Sequence, residues 1–473
     1  MKKMAKALAA LGVLSGLAGA GVVFTDDFER TSIGPNYTIR TEITALIQDV
    51  GGNRKLRVHS PTGTSQYGVS TVSGLIGTPA AGSFVRSSIN YSTDTDLKQA
   101  FLHMGGAIAY VVNHSNRGGH WDGDWIYGGS SQVTANVERD YVILYVGSQD
   151  GDQYWAHVFI NGQINTTFED RTSDSQSGSY PPPRQSVGPT GDKANMNIQG
   201  TQNSGSATWA QFDNLMVYNL PYNGVGSAND IKNGLFLTQS DDFNRPNSSV
   251  IGPAWSAASS HPGNTSAGIV NNAVQLQVVS LPGGGVSPWV RADLDLTDPS
   301  ILGRGLEVGE YVEFQFQRSQ QWGLTGLRTS LGNSMAMGDN SASNMPLRTY
   351  EDLFGSDQGS TWTRVSARSD FDPDGLMTLG VLLDYADGQM AITHYYVDDN
   401  YAGSWLHDTT DLTLNTFSFF AQSNQALNVF RFDNLAIYST INTAIPEPCT
   451  MVLLGAGLLA LARRRRGVKV REA

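Results

Sequence analysis

Two short stretches, Phe212-Asp-Asn-Leu-Met-Val-Tyr218 and Phe432-Asp-Asn-Leu-Ala-Ile-Tyr438, decide how this chain is organised. Each of them closes a region that opens on another shared stretch. The opening stretches are Thr25-Asp-Asp-Phe-Glu-Arg30 and Ser240-Asp-Asp-Phe-Asn-Arg245. Agreement at both edges of two regions of nearly equal length predicts an internal repeat.

The repeat predicts two tandem domains, because 473 residues are too many for one ordinary domain. We place the first domain at 23–220 and the second at 237–440. Between them, residues 221–236 have the Gly- and Asn-containing composition of a linker.

Within each unit the hydrophobic residues alternate with polar ones. Val274–Val278 and Tyr311–Gln317 both place apolar residues at every second position, which is typical of a strand with one wet face. Two pairs of such strands are separated by Asp150-Gly151 and Asp387-Gly388, which favour tight hairpin turns. The chain is therefore predicted to be all-β, with two tandem antiparallel jelly-roll β-sandwiches.

The composition excludes several classes of partner. The formal net charge is −12, and only 16% of residues are charged. Removal of the basic terminal segments would leave the body still more acidic. We therefore expect no nucleic acid and no anionic membrane surface as partners. A single cysteine permits no internal disulfide, so packing must stabilise the domains.

The N-terminal residues 1–20 have the layout of a secretory signal peptide. Lys2, Lys3 and Lys6 form a basic start, and Ala7–Ala18 is a short apolar core. Ala18-Gly-Ala20 then offers small residues for cleavage. We predict a signal helix that is removed after export.

The C-terminal tail has three blocks in a fixed order. The proline-flanked triplet comes first, and each proline prevents helix continuation. An apolar block, Cys449–Ala462, follows and is shorter than the about 17–25 residues of a transmembrane helix. A cationic cluster then ends the pattern. The residues of the two outer blocks are Pro446, Glu447, Pro448, Arg463, Arg464, Arg465 and Arg466.

The order and terminal position of these blocks resemble the PEP-CTERM sorting signal, which we assign to residues 445–473 with a short apolar helix. The resemblance implies processing by an exosortase, a membrane protease-transpeptidase of Gram-negative bacteria that make exopolysaccharide. It also implies transient anchoring in the inner membrane, followed by retention at the outer surface or in the extracellular matrix. The alternative is an ordinary membrane helix with a positive flank on its inner side.

The opening and closing stretches of the two units resemble those of concanavalin A-like, laminin-G-like sandwiches. That resemblance implies a structural calcium ion where the first and last strands of each domain meet. Carboxylate and carbonyl oxygens suit calcium. The alternative is that the aspartates of the closing stretches bond their own backbone. The matching residues are Asp26, Asp27, Asp213, Asp241, Asp242 and Asp433.

A loop rich in tryptophan and aspartate suggests a carbohydrate site in the first unit. Aromatic rings stack on sugars while carboxylates bond hydroxyl groups. The alternative is that the tryptophans are buried under the loop. The candidate residues are Trp121, Asp122, Asp124 and Trp125, and the same two interpretations apply to Trp322, Trp362 and Trp405 in the second unit.

The sequence offers little support for catalysis. A retaining glycosidase needs two carboxylates about 5–5.5 Å apart, whereas the odd spacings of Glu307, Glu310 and Glu313 send neighbouring carboxylates to opposite faces. We therefore expect no enzyme, but an exported, non-catalytic carbohydrate-binding or structural module with extracellular polysaccharide as a partner. The alternative is a hydrolase or lyase with a dispersed site that includes Asp122, Asp124 or Glu313. A scaffold without binding or turnover is the third hypothesis.

Overall fold

A computed structural model gives the fold of the chain. It describes residues 21–39, 44–60, 66–92, 97–104, 108–113, 118–121, 125–127, 135–149, 153–169, 191–200, 208–219, 226–283, 286–319, 323–329, 333–337, 348–351, 363–364, 375–387, 389–408 and 414–440. The predicted signal helix and C-terminal helix lie outside the described residues, as do Asp122, Asp124, Trp322 and Trp362. Within the described ranges, no helix has the length and apolar character needed to cross a membrane.

The first unit forms an eight-stranded and a seven-stranded sheet, both antiparallel. Its strands are β1 (Gly21–Asp26), β2 (Tyr37–Ile39), β3 (Thr44–Val50), β4 (Asn53–Ser60), β5 (Gln66–Thr71), β6 (Phe84–Tyr91), β7 (Leu97–Met104), β8 (Ile108–Asn113), β9 (Gly118–Trp121), β10 (Trp125–Tyr127), β11 (Arg139–Gln149), β12 (Gln153–Ile160), β13 (Gln163–Glu169), β14 (Ala194–Gly200) and β15 (Thr208–Asn219). The larger sheet has the order β13-β12-β11-β6-β15-β4-β3, with β1 also pairing with β15. The smaller sheet has the order β10-β9-β8-β7-β14-β5-β2.

The second unit repeats this arrangement. Its strands are β16 (Phe236–Asp241), β17 (Trp255–Ser259), β18 (Thr265–Val270), β19 (Ala273–Val278), β20 (Trp289–Asp295), β21 (Glu310–Arg318), β22 (Gly323–Thr329), β23 (Asn333–Met337), β24 (Arg348–Glu351), β25 (Thr363–Arg364), β26 (Met377–Ala386), β27 (Met390–Val397), β28 (Asn400–Asp408), β29 (Thr416–Ser423) and β30 (Asn428–Ser439). The sheet orders are β18-β19-β30-β21-β26-β27-β28, with β16 beside β30, and β17-β20-β29-β22-β23-β24-β25. Every strand of the first unit therefore has a counterpart in the same sheet position of the second. The all-β class with antiparallel sandwiches is confirmed.

Matched turns support the repeat at the level of backbone conformation. Asn161-Gly162 joins β12 to β13 with φ of 49° and 80°, and Asp398-Asp399 joins the corresponding strands of the second unit with φ of 48° and 69°. Two consecutive residues with positive φ make the turn that suits the twist of a hairpin. Asn, Asp and Gly tolerate this conformation, so different sequences build the same turn at equivalent places.

The predicted linker contains one short helix, α1 (Ala228–Asn233), which composition alone did not indicate. The Ser227 side chain caps the helix by accepting a hydrogen bond from the Asp230 backbone N–H. The Asp230 side chain in turn accepts one from the Ser227 backbone N–H. Lys232 of this helix lies 2.9 Å from Glu313 on β21. The connection is thus packed against the second unit.

The two sandwiches stack through their eight-stranded sheets. Phe84 and Tyr218 of the first unit pack against Tyr385 of the second, with ring centroids 5.3 and 5.4 Å away. Phe159 of the first unit meets Trp405 of the second at 5.2 Å. We call this contact between the two larger sheets the inner interface. It makes a four-layered body in which the seven-stranded sheets are the outer layers.

The inner interface also contains a buried hydrogen-bonded chain. Asp384 accepts from the Tyr218 hydroxyl at 2.6 Å and lies 2.9 Å from His394 Nε2. His394 Nδ1 lies 2.6 Å from the Ser404 hydroxyl, which is 2.5 Å from the Tyr401 hydroxyl. Because buried polar groups are costly unless they are paired, this chain holds the two units in one relative orientation.

Candidate functional site

The Asp-Asp-Phe-x-Arg stretch is a compact structural turn. Asp26 accepts hydrogen bonds from the Phe28 backbone at 2.8 Å, from two Arg30 nitrogens at 2.5 and 2.6 Å, and from the Tyr37 hydroxyl at 2.7 Å. Phe28 has a φ of 53° and is fully buried. The carboxylate and the core contact together hold this uncommon backbone conformation.

The second unit repeats the turn. Asp241 accepts from the Phe243 backbone at 2.8 Å and from two Arg245 nitrogens at 2.9 Å each. Arg245 also donates to the Ile251 carbonyl oxygen. The second aspartates of the stretches, Asp27 and Asp242, accept backbone hydrogen bonds two residues along the chain.

The closing Asp-Asn pairs are bulges at which the last strand changes partner. Asn214 and Asn434 have φ of 50° and 52°, and each donates its backbone N–H to the preceding aspartate at 2.8 Å. Before the bulge β15 pairs with β4, and after it β15 pairs with β1. Asp213 and Asp433 therefore each accept a hydrogen bond from the backbone of the next residue, as the alternative interpretation expects. Burial raises the pKa of both carboxyl groups.

The carboxylates of the predicted calcium sites have protein partners. Arg30 and Arg245 neutralise Asp26 and Asp241, and Asp213 accepts from the Asn53 amide at 2.7 Å. Within the part of the chain that the structure describes, no group of three or more His, Cys, Asp or Glu residues is placed to hold a metal ion. This donor set does not fit a divalent cation, and calcium binding stays an untested prediction.

The Asp26–Arg30 pair predicts a specific acid sensitivity. Burial opposes ionisation of Asp26, but the hydrogen bonds from Arg30, Tyr37 and the Phe28 backbone prevail and lower its pKa below 3.8. The ionised group therefore stabilises the fold above that value, and the stabilisation is lost as the pH falls through the folded-state pKa. We expect wild type to have a higher free energy of unfolding than Asp26→Asn. This difference should be largest at neutral pH and should decrease below about pH 4.

Urea denaturation over a pH series measures this difference. Asp27→Asn is the matched control, since Asp27 is adjacent but accepts only a backbone hydrogen bond. A stability gap between wild type and Asp26→Asn that stays constant down to about pH 2 would contradict the assignment.

Of the carboxylates in the alternative hydrolase hypothesis, Glu313 is engaged in contacts, as is its neighbour Glu310, whereas Asp122 and Asp124 lie outside the described residues. Glu310 is fully buried and receives two hydrogen bonds from Arg304, at 2.8 and 2.6 Å. Glu313 contacts Lys232 at 2.9 Å and accepts from the Tyr438 hydroxyl at 3.1 Å. Both groups make ion pairs within the second sandwich or with the helix that precedes it.

The outer sheet of the first unit carries a polar row that no local sequence pattern reveals. His103 on β7 lies 2.9 Å from the Asn197 amide nitrogen and 3.4 Å from that of Asn195, both on β14. Leu102 and Met104 face the core, so His103 faces outward. Gly68 on β5 leaves room for Asn197, because a Cβ atom there would lie 1.6 Å from its side-chain oxygen. We call this surface the His103 face.

Backbone register connects β7, which carries His103, with the strands of the predicted tryptophan pair. Leu102 pairs with Tyr110, and Tyr110 pairs with His120. Trp121 pairs with Trp125 across β9 and β10.

A second row on the outer sheet of the second unit was missed at the sequence level. Trp289, Arg291 and Asp293 occupy alternate positions of β20, between residues that face the core. The Arg291 guanidinium lies 5.6 Å from the Trp289 ring centroid and donates to Asp293 at 2.8 Å. Ser418 on β29 donates to the other Asp293 oxygen at 2.5 Å. We call this surface the Trp289 face; the alternation in Trp-Val-Arg-Ala-Asp could have indicated it.

Trp405, in contrast, is fully buried in the inner interface, so its alternative interpretation as a core residue is confirmed. The nearby Asp384, His394 and Ser404 have the order of a hydrolytic triad, but none is more than 6% exposed. A triad needs a substrate within reach of its nucleophile. This chain of hydrogen bonds is structural.

Comparison with known proteins adds an observation on the tail. A model of the PEP-CTERM protein-sorting motif matches residues 444–466. The chain carries a PEP-CTERM sorting motif. The PEP-CTERM motif indicates an exported protein that an exosortase sorts in a Gram-negative bacterium. Comparison with curated proteins found no match.

Three solved structures are similar to less than half of this chain. An endo-acting O-glycanase structure from human gut microbiota covers 43% of this chain and 98% of its own, with 11% identity and a TM-score of 0.31. The Emp47p carbohydrate recognition domain covers 44% and 97%, with 12% identity and a TM-score of 0.30. The endo-1,3-β-glucanase of Streptomyces sioyaensis covers 43% and 97%, with 12% identity and a TM-score of 0.30. At these values, the likeness carries no argument about function.

Proposed function

We propose that the mature protein is a non-catalytic component of the cell surface or extracellular matrix that binds polysaccharide. The observation that carries this proposal is the His103 face, where an imidazole on β7 and two amides on the neighbouring β14 form one outward row. Amide and imidazole groups can donate to and accept from sugar hydroxyls, and Trp121 pairs with Trp125 at the edge of the same sheet. The PEP-CTERM motif supports an extracellular setting for this binding.

The charge of the chain favours a neutral polysaccharide. The formal net charge of −12 would repel a polymer of uronic acids or sulfated sugars. Neutral sugars carry no such penalty, and their C–H faces suit aromatic side chains.

A glycan array that contains neutral and uronate-rich polysaccharides tests the proposal. We expect the mature protein to be retained on neutral glycans without release of reducing sugar. His103→Ala combined with Asn197→Ala should weaken retention about thirtyfold, since two hydrogen bonds are lost at about 1 kcal/mol each. Leu376→Ala is the control. Leu376 is exposed and directly precedes β26, so this variant should bind like wild type.

Three results would contradict the proposal. Absence of retention on every polysaccharide would remove the binding role and favour a scaffold. Release of reducing sugar would replace it with the hydrolase alternative. Retention that is equal in wild type and the double variant would move binding away from the His103 face.

A further inference from the structure

The stacking of the two units determines where their outer faces point. In the first unit, Val142 and Leu144 face the second unit, whereas Tyr141 and Ile143 face the core of their own sandwich. The two larger sheets therefore cover each other where these strands meet. The outer faces of the two seven-stranded sheets lie on opposite sides of the stacked body.

Contacts across the inner interface fix this arrangement. Arg86 of the first unit lies 2.9 Å from Asp387 of the second and 2.9 Å from Asp140 of its own. The buried Tyr218–Asp384 bond and the packing of Phe159 on Trp405 also cross it. Rotation of one unit against the other would break apolar packing and charged hydrogen bonds together. The two outer faces therefore cannot turn towards the same side.

The polar rows of the two outer faces share one equivalent strand, since β29 corresponds to β14, whereas β20 corresponds to β5 and not to β7. The His103 face uses β7 and β14, and the Trp289 face uses β20 and β29. The Trp289 face offers an aromatic ring, a guanidinium and a carboxylate along one strand. Arg291 and Asp293 neutralise each other, so this face also suits an uncharged ligand with hydroxyl groups.

From these observations we propose that the protein is a bivalent cross-linker, in which the His103 face and the Trp289 face bind two separate neutral polysaccharide chains. The proposal rests on the polysaccharide binding proposed above. A polysaccharide bound to one face is separated from the other face by the four stacked sheets. A short segment of one polymer therefore cannot reach both sites. The body then joins two polymers rather than gripping one more tightly.

Bead aggregation tests the proposal with the mature protein. The probes are three sets of fluorescent beads that carry β-1,3-glucan, galactomannan or dextran. We expect wild-type protein to bind one of these sets and to aggregate its beads. His103→Ala combined with Asn197→Ala should still bind the beads but lose aggregation, and Trp289→Ala should do the same. Arg291→Ala is a second variant of the Trp289 face, in case Trp289→Ala does not fold, and Leu376→Ala is the control.

The outcomes separate the two proposals. No binding of wild type to any bead set would overturn polysaccharide binding itself, and the cross-linking proposal with it. Wild-type binding without aggregation would overturn cross-linking alone. Aggregation that persists in folded variants of the Trp289 face would also overturn it, because bridging would then not need that face. Thermal denaturation establishes that each variant is folded.

Discussion

Trp405→Ala is expected to lower the free energy of unfolding by about 3–5 kcal/mol, as large-to-small changes at fully buried aromatic positions do. Trp405 is fully buried and packs on His157 at 5.1 Å and on Phe159 at 5.2 Å, both from the other unit. Its loss leaves a cavity in the inner interface, where neither sheet can collapse without disturbing the buried chain around Asp384.

Urea denaturation of the mature protein measures the effect. Trp405→Phe keeps a ring against Phe159 and should cost clearly less than the alanine change. Trp289→Ala is a matched control, since Trp289 is a half-buried tryptophan outside the inner interface. Equal losses for Trp405→Ala and Trp289→Ala would show that Trp405 has no special part in joining the units.

Replacing Pro446, Glu447 and Pro448 together with alanine is expected to abolish sorting. Proline lacks a backbone donor and disfavours a helix at the residue before it, so the sequence predicts that this triplet interrupts a helix ahead of the apolar block. Alanine favours a helix, so the triple change removes this interruption. We expect near-complete loss of the processed form and retention of the full chain with the inner membrane.

Cell fractionation and intact mass of the protein measure sorting. Cys449→Ser is the control, because it changes the adjacent residue but leaves the proline-flanked triplet intact. The sorting assignment would be contradicted if the triple variant were processed as efficiently as the control.

The fold class was readable from sequence because most strands have one face towards a core. Alternation in Val274–Val278 and Tyr311–Gln317 reports this directly. It cannot report which sheets stack on each other. Met390–Val397, for example, is buried along its whole length because both faces of β27 are covered. A continuous buried run has no period from which to infer a partner.

The residues of the candidate site were harder to predict from sequence for a related reason. His103 and Asn197 lie far apart in the chain and meet only because β7 and β14 are neighbours. A pattern of local spacing cannot contain such a pair. Trp405 is buried and Trp289 lies on an outer face because they belong to different sheets. Sequence alone does not separate them, since tryptophan suits both a core and a surface.

The position of β30 has a mechanical consequence. This last strand lies inside its sheet, with β19 and β16 along one edge and β21 along the other. A pull applied through the segment after residue 440 would therefore load hydrogen bonds on both sides of the strand at once, in shear. A terminal strand at the edge of the sheet would instead lose its hydrogen bonds one after another. A tether attached after β30 therefore loads the sheet in the direction in which it resists force best.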